Sequence, residues 1–442
     1  MKLTFHGGAQ EVTGACYLLE TAQTKILIDC GLFQGCEECV GLNFQKFSFD
    51  PSAVDALCVT HAHLDHVGRI PKLVREGFRG KIFSTAPTRD LAELILEDAL
   101  SLAAREGRSL YAREDIEQAM KQWEPVPYYK KMIIGNIAFR LNNAGHILGS
   151  AMVEVWAEKK HLLFSGDLGN APSTLLPAPD VIRDLDYLVI ESTYGNRAHE
   201  SPDERVIQLE RAVEDIAMRR GTLMIPAFAT ERTQDILHLL IEMAHLKRIP
   251  DMPIFVDAPL ATRITEVYER YPAEYRDDIR ELASQHPNLF KFKRLRFTES
   301  VEDSKHINDV PAPKVIIAGS GMMTGGRILH HARRYLPDPN SILLIIGYQS
   351  SGSLGRRLLD GAQFIRIFGE EVEVHAEIRK IGGFSAHADN PQLFAFVAAG
   401  RDTLKRVFVV QGEPAQAMHL SQEIRDRLGI TADVPMLHDE VV

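Results

Sequence analysis

Cysteine is scarce in this chain of 442 residues, and all five cysteines fall within the first 58 positions. No cationic, apolar leader opens the sequence, so an odd number of cysteines argues against a framework of disulfide bonds. Cys36 and Cys39 have the spacing of a pair of metal ligands, but no second pair exists to complete a tetrahedral site. We expect a reduced pair in a loop, with redox sensing as the alternative.

Long apolar runs and an excess of positive charge are also missing. No stretch reaches the roughly 20 apolar residues of a membrane-spanning helix, so we expect no membrane association and a cytoplasmic location. The formal net charge of −10 argues against a surface that holds nucleic acid nonspecifically, although it leaves room for a local basic groove. A content of 45% hydrophobic and 25% charged residues is typical of a soluble globular protein.

Four residues that can bind metal lie within the run Thr60-His-Ala-His-Leu-Asp-His-Val67. An apolar, β-branched stretch precedes this run and a helical pattern follows it, which predicts a strand-to-helix turn. On extended backbone His61 and His63 point to the same side and can bind one ion, whereas Asp65 and His66 lie past the bend and can reach a second. Imidazole and carboxylate ligands suit zinc and its neighbours. A polar loop without metal is the alternative.

Three further residues stand where apolar stretches end. His146 is flanked by glycines that let the backbone come close to an ion. Asp167 ends another predicted strand, where a carboxylate can bridge two metals. Asp29 ends a third, and we expect it to orient a ligand histidine rather than to bind metal itself. An ordinary aspartate in a turn is the alternative for Asp29.

These motifs resemble the metallo-β-lactamase superfamily, whose signature is His-x-His-x-Asp-His followed by a distant histidine and a bridging aspartate. The resemblance covers roughly the first half of the chain, including the opening Gly7-Gly-Ala-Gln-Glu-Val-Thr-Gly14. It implies two metal ions that share the bridging aspartate. The first ion would take His61, His63, His146 and Asp167, and the second would take Asp65, His66 and Asp167.

The second half resembles the β-CASP branch, the nucleic-acid-cutting members that include RNase J and the endonuclease of mRNA 3′-end processing. The segments that carry the similarity include Glu191-Ser-Thr-Tyr-Gly-Asn196 and Ile381-Gly-Gly-Phe-Ser-Ala-His-Ala-Asp389. The resemblance implies that His387 is the general acid and that Glu191 holds it. It also implies an α/β fold, a metallo-β-lactamase αββα sandwich with an inserted β-CASP domain whose parallel sheet is flanked by helices.

The pattern of strands and helices divides the chain into three stretches. Strands dominate residues 1–198, the first part of the metallo-β-lactamase domain. Strands and helices alternate over residues 199–365, which predicts a parallel sheet covered by helices and is assigned to the inserted domain. Strands return over residues 366–442. If His387 works with His61, this last stretch must fold back and complete the first domain.

One position departs from the family pattern. The predicted strand Arg406–Val410 leads into Gln411-Gly-Glu413, where the family has a histidine that completes the second metal site. An amide oxygen is a weaker ligand than imidazole, so we expect a looser second ion, with some tolerance for manganese, rather than an empty position. The alternative is that Gln411 has weakened catalysis and left an RNA-binding or scaffold protein.

The resemblance implies a ribonuclease that hydrolyses single-stranded RNA with two divalent ions per chain, zinc being favoured, through a hydroxide that both ions activate. Cleavage within the strand is favoured, and action from a 5′ end is the alternative. A metallo-hydrolase for small esters is a further alternative, and we expect a monomer or a homodimer. The predicted catalytic residues are Asp65, Glu191 and His387, and the predicted RNA contacts are Arg327, Arg356 and Ser385.

Overall fold

The structure is a computed structural model that describes residues 1–35, 37–286, 289–347, 349 and 352–441. It divides into two compact units, Met1–Ala198 with His387–Val442, and His199–Ala386. The sequence pattern placed the second boundary after residue 365, whereas the structure assigns residues 366–386 to the second unit. The difference arises because a strand at Glu377–Lys380 pairs with the sheet of that unit.

Short apolar strands dominate the first segment, as the sequence predicts. Helix α4 (Ala86–Arg105) begins after Thr85, whose side chain accepts a hydrogen bond from the backbone N–H of Thr88. The strands are β1 (Lys2–Phe5), β2 (Tyr17–Glu20), β3 (Lys25–Ile28), β4 (Ala56–Cys58), β5 (Lys81–Ser84), β6 (Trp123–Pro125), β7 (Met132–Ile134), β8 (Ile137–Asn143), β9 (Ala151–Ala157), β10 (Lys160–Phe164) and β11 (Tyr187–Glu191), and the helices are α1 (Glu37–Leu42), α2 (Leu64–Val67), α3 (Ile70–Arg75), α4 (Ala86–Arg105) and α5 (Arg113–Gln122).

Strands and helices alternate in the second unit. The strands are β12 (Thr222–Pro226), β13 (Ile254–Asp257), β14 (Leu295–Phe297), β15 (Lys314–Ala318), β16 (Ile342–Ile345), β17 (Phe364–Ile367), β18 (Glu370–Glu373) and β19 (Glu377–Lys380), and the helices are α6 (Pro202–Arg219), α7 (Arg232–His245), α8 (Pro259–Arg270), α9 (Asp277–Gln285), α10 (Val301–His306), α11 (Ile328–Tyr335) and α12 (Leu354–Leu359). Six of these strands form a sheet in the order β14-β13-β15-β12-β16-β19, in which all neighbours are parallel. A small antiparallel pair, β17 and β18, accompanies it. The predicted parallel sheet with alternating helices is therefore confirmed.

The last segment returns to the first unit and completes both of its sheets. Its elements are α13 (Asn390–Ala399), β20 (Arg406–Val410), α14 (Pro414–Leu428), β21 (Thr431–Asp433) and β22 (Glu440–Val441). Strand β20 lies between β11 and β21 and is parallel to both, while β22 pairs with β1. The two seven-stranded sheets have the orders β22-β1-β2-β3-β4-β5-β6 and β21-β20-β11-β10-β9-β8-β7.

Alternating side chains of the second sheet pack into two separate hydrophobic cores. In β20, Phe408 packs between the two sheets with Phe5 and Phe139, whereas Val407 and Val409 pack on the outer face, with side chains of α13 and α14. Helices α4 and α5 pack on the first sheet, where α4 contacts β6 and α5 contacts β5. The predicted αββα sandwich is confirmed.

Two features of the structure concern the expectations about membrane helices and cysteine pairing. Within the described residues, every helix is too short or too polar to cross a membrane. Cys39 is disulfide-bonded, so the expectation of a reduced Cys39 is wrong, and Cys36 lies outside the described residues.

Candidate active site

Four buried or half-buried ligand atoms converge in the first unit. The Nε2 atom of His61 lies 3.1 Å from Nδ1 of His63 and 3.3 Å from Oδ2 of Asp167. The Nε2 atom of His146 lies 3.2 Å from the same nitrogen of His63 and 3.5 Å from the same oxygen of Asp167. Tetrahedral zinc, about 2.0–2.1 Å from each ligand, needs ligand atoms about 3.3 Å apart. The donor set and its spacing therefore fit one tetrahedral metal ion.

The protonation states of His63, His146 and Asp167 suit metal binding as well. Burial, together with the neighbouring imidazole of His61, holds the pKa of His63 well below its usual value, and burial and His387 do the same for the pKa of His146. Burial raises the pKa of Asp167, but the imidazoles around it, His66 and His61 first, lower that pKa well below its usual range. Neutral imidazoles and an ionised carboxylate are the forms that bind a divalent cation.

The strand-to-helix turn presents the histidines as the sequence predicts. Strand β4 ends at Cys58, His63 is the extended residue before α2, and His66 lies within that helix. Asp29, at the end of β3, accepts hydrogen bonds from the backbone N–H and the hydroxyl of Thr60, both at 2.7 Å. It also lies 2.7 Å from Nδ1 of His66. Because a carboxylate only accepts, Nδ1 of His66 carries a proton and Nε2 is the ring atom that faces the site.

A second group forms around His387, within the same unit. Its Nδ1 lies 3.3 and 3.2 Å from the two carboxylate oxygens of Glu191, which also accepts from the backbone N–H of Leu168 at 2.7 Å. Oδ2 of Asp167 is 3.9 Å from the same nitrogen. Burial lowers the pKa of His387, but the charges of Glu191 and Asp167 raise it to about 9. His387 is therefore a histidine that keeps its proton at neutral pH beside the four converging side chains.

The ligands predicted for the second metal ion do not converge as those of the first group do. In the described part of the chain, two groups of histidine and acidic residues bring their ligand atoms within 4.8 Å of one another: His61, His63, His146 and Asp167, and Asp167, Glu191 and His387. Asp65 and His66 are in neither. Burial raises the pKa of Asp65, whose Oδ2 is 4.0 Å from Nε2 of His66.

Gln411 lies among these residues, with its side chain 2% exposed. Its Nε2 is 2.8 Å from Oδ1 of Asp167 and 2.9 Å from Nε2 of His66. Its Oε1 accepts a hydrogen bond of 3.2 Å from the hydroxyl of Tyr17. The sequence reasoning missed Tyr17, because an aromatic residue in an apolar strand is indistinguishable from a core residue. It also missed Thr60, although a hydroxyl directly before His61 was a usable signal.

The three predicted RNA contacts lie in the second unit. Arg327 donates to Oδ1 of Asp257 at 2.6 Å and to the Thr298 carbonyl at 3.1 Å. Arg356 is half exposed and pairs with Asp360 one helical turn later. Ser385 is buried at the end of the unit. A role in binding RNA remains a prediction for all three.

Family models match the chain in three consecutive parts. These are the metallo-beta-lactamase superfamily over residues 9–227, the Beta-Casp domain over residues 233–358 and the Zn-dependent metallo-hydrolase RNA specificity domain over residues 371–435. Ribonuclease TTHA0252 of Thermus thermophilus is 39% identical over 422 residues, which are 96% of this chain and 95% of that protein. The chain belongs to the β-CASP family of the metallo-β-lactamase superfamily.

Other members of this β-CASP family extend the similarity over the whole chain. An RNase J-like protein of Methanocaldococcus jannaschii is 34% identical, covering 98% of each chain. Transcription termination factor FttA of the same organism is 31% identical, covering 100% of this chain and 71% of the relative. A crystal structure of a protein of unknown function from Enterococcus faecalis V583 has the same fold, with a TM-score of 0.58 at 12% identity over 100% of this chain and 99% of that one. The resemblance stated from the motifs is confirmed.

Proposed function

We propose that this protein is a metal-dependent ribonuclease that hydrolyses phosphodiester bonds of single-stranded RNA in the cytoplasm, cutting mainly within the strand. The observation that carries the proposal is the convergence of His61, His63, His146 and Asp167 on one point, directly beside the pair of Glu191 and His387. Relatives that match almost the whole chain are named as a ribonuclease and an RNase J-like protein, which supports the same chemistry.

Zinc is the ion that we propose for the four converging ligands, because three imidazoles and one carboxylate at tetrahedral spacing suit it. When bound, zinc supplies Lewis-acid polarisation of the phosphodiester and makes water acidic enough to ionise near neutral pH. The second ion predicted from the sequence, zinc or manganese, would need Asp65 and His66. The side chain of Gln411 contacts His66 at that position.

His387 is the proposed donor of the proton that the departing oxygen needs. Its Nδ1 faces the carboxylate of Glu191, so Nε2 is the atom from which the proton would pass. A pKa of about 9 keeps the imidazole charged at neutral pH, and transfer to an alkoxide is then favourable. Because Glu191 is fully buried and also bound to the backbone N–H of Leu168, it holds the imidazole in one orientation.

The second unit is proposed to contribute RNA contacts through Arg356 and Ser385. Arg356 has an exposed guanidinium that a phosphate can share with Asp360. Arg327 is less available to a phosphate, since its guanidinium already donates to Asp257 and to two backbone carbonyls.

The test is cleavage of a labelled single-stranded RNA, supplied in linear and in circular form, by protein loaded with zinc. We expect both forms to be cut, because only internal cleavage can open a circle. The His63→Ala variant should lose the activity. The matched control is His375→Ala, which removes an exposed histidine paired with Glu373 and should leave the rate unchanged.

Cleavage of the linear form alone would replace internal cutting by action from an end. Hydrolysis of p-nitrophenyl phosphodiesters without cleavage of either RNA would favour the small-ester alternative. Absence of any hydrolysis by the zinc-loaded protein would contradict the proposal.

A further inference from the structure

We infer that this chain binds a single metal ion, and that the amide group of Gln411 occupies the position of the second ion expected in its family. The inference rests on the four-ligand metal site of the proposed function and concerns only the neighbouring position. It replaces the sequence-based expectation of a loosely bound second ion.

The ring of His66 has room for only one further partner. Asp29 accepts a hydrogen bond from Nδ1–H, so in the neutral form that metal binding requires the ring has one lone pair, on Nε2, for any further partner. Nε2 of Gln411 lies 2.9 Å from that atom, in position to donate an N–H to it. A metal ion would need the same lone pair. The amide and a metal ion therefore compete for His66, and one excludes the other.

The neighbours of the Gln411 amide fix its orientation. Oδ1 of Asp167 can only accept, and it lies 2.8 Å from the side-chain nitrogen. On the other side, the hydroxyl of Tyr17 donates to Oε1. Turning the amide over would place its oxygen against the Asp167 carboxylate, and would put an NH2 group against Tyr17 instead of an acceptor. The NH2 group therefore faces the two ligand atoms that a second metal would use, and the only metal-binding atom of the amide faces away.

The two carboxylate oxygens of Asp167 face different partners. Oδ2 faces His61 and His146 in the four-ligand group, at 3.3 and 3.5 Å. Oδ1 faces the amide of Gln411 instead of a second ion. An NH2 group that donates two hydrogen bonds thus takes the place of a bridging cation on the far side of the carboxylate.

The backbone around Gln411 holds the side chain in this place. Its φ is +49°, and its N–H donates to the carbonyl of Gly8 at 2.7 Å. Its carbonyl accepts from the hydroxyl of Thr193 at 3.1 Å. Gly8 leaves the necessary room, since a Cβ there would be 2.5 Å from the hydroxyl of Tyr17 and 3.2 Å from Cγ of Gln411. A side chain anchored at both ends keeps the amide between Asp167 and His66.

The test is the number of metal ions bound by the whole chain, counted by titrating metal-free protein with zinc and with cobalt(II). Elemental analysis after dialysis gives the stoichiometry, and the visible absorption of cobalt gives an independent readout that does not depend on RNA cleavage. We expect one tightly bound equivalent for the wild type and two for Gln411→His. The variant His66→Ala should still bind one, because His66 does not hold the ion, whereas His63→Ala should bind none tightly.

The outcomes separate this inference from the proposed function. Two tight equivalents in the wild type would overturn the inference and leave the proposed ribonuclease intact. So would loss of the wild-type ion in a folded His66→Ala protein, with folding judged by its melting curve. No tight binding by the wild type would instead overturn the metal site of the proposed function, and the inference with it.

Discussion

Glu191 controls the protonation of the residue that it holds. Its carboxylate and that of Asp167 raise the pKa of His387 to about 9, against the effect of burial, which lowers it. A general acid works only while it is protonated, so activity should fall as the pH rises through this value. Replacing Glu191 by a neutral residue removes one of the carboxylate charges that raise the pKa of His387, so that pKa must fall.

We therefore predict that Glu191→Gln moves the alkaline limb of the pH–rate profile of RNA cleavage to lower pH. The variant His387→Ala should lower the rate about 100- to 10,000-fold and lose the dependence on this group. Single-turnover rates between neutral and alkaline pH measure both effects. An alkaline limb at the same pH in the wild type and in Glu191→Gln would show that His387 is not the acid.

The strand-to-helix element depends on a close approach of two backbone segments. The N–H of Cys30 donates to the carbonyl of His66, and the N–H of Leu32 donates to the carbonyl of Leu64, both at 2.8 Å. Between them, a Cβ on Gly31 would overlap the carbonyl of Asp65. This glycine therefore lets the segment after β3 run directly against the proposed metal-binding motif.

The substitution Gly31→Ala should cost about 1–3 kcal/mol of unfolding free energy and lower the zinc content, because the motif has to move. Gly41→Ala is the matched control, since Gly41 lies in α1 with nothing within 4 Å of an added Cβ. Alanine there should be neutral or stabilising by up to about 1 kcal/mol. Urea unfolding and metal analysis of both variants test the contrast, and equal stabilities would contradict it.

In the second unit, Asp257 at the end of β13 joins several elements. Its carboxylate accepts hydrogen bonds from Thr298 and Ser304, each at 2.6 Å, and lies 2.7 Å from Nε2 of His331 and 2.6 Å from the guanidinium of Arg327. Burial raises the pKa of Asp257, but these partners, His331 first, hold it well below its usual range. The charged carboxylate is therefore a source of stability.

We predict that Asp257→Asn lowers the unfolding free energy by about 3–5 kcal/mol at neutral pH, because Arg327 is left without its buried partner. A depressed pKa gives stability that is complete above the unfolded value of 3.8 and is lost as the pH falls towards the folded value. The difference from the wild type should accordingly shrink below that pH. Asp360→Asn breaks the exposed pair with Arg356 and should cost at most about 1 kcal/mol. Denaturant unfolding at several pH values measures the difference in unfolding free energy between the wild type and Asp257→Asn. A difference that grows as the pH falls would contradict the prediction.

Across the whole molecule, the sequence predicts those features that local patterns encode. The motif from His61 to His66 and the alternating elements of the second unit are of this kind. Features that depend on residues distant in the sequence are not predicted. The sequence predicts that Arg327 contacts phosphate, yet Arg327 pairs with Asp257, 70 residues earlier. Gln411 is visible as a departure, but the direction of its amide depends on Asp167 and Tyr17, which are brought to it only by the assembled sheets.

The connection between the two parts of the first unit shows how the fold accommodates a large insertion. The N–H of Asn390 donates to the carbonyl of Arg197 at 2.9 Å, and its side chain donates to the carbonyl of Gly195 at 2.7 Å. The chain thus leaves and re-enters this unit at neighbouring points. All four proposed metal ligands, and the pair of Glu191 and His387, lie within the same unit.

Removing residues 199–386 and joining the ends with a short Gly/Ser linker should therefore leave a protein that folds and still binds zinc. A few residues are enough to span neighbouring points, since each covers up to about 3.3–3.6 Å. RNA cleavage should fall at least about 100-fold, because the proposed contacts that position the strand are gone while the metal ligands remain. Melting curves, zinc content and RNA cleavage are the measurements. A shortened protein that folds but has lost its zinc would mean that the second unit is needed to assemble the site, and full cleavage by it would mean that the first unit positions RNA alone.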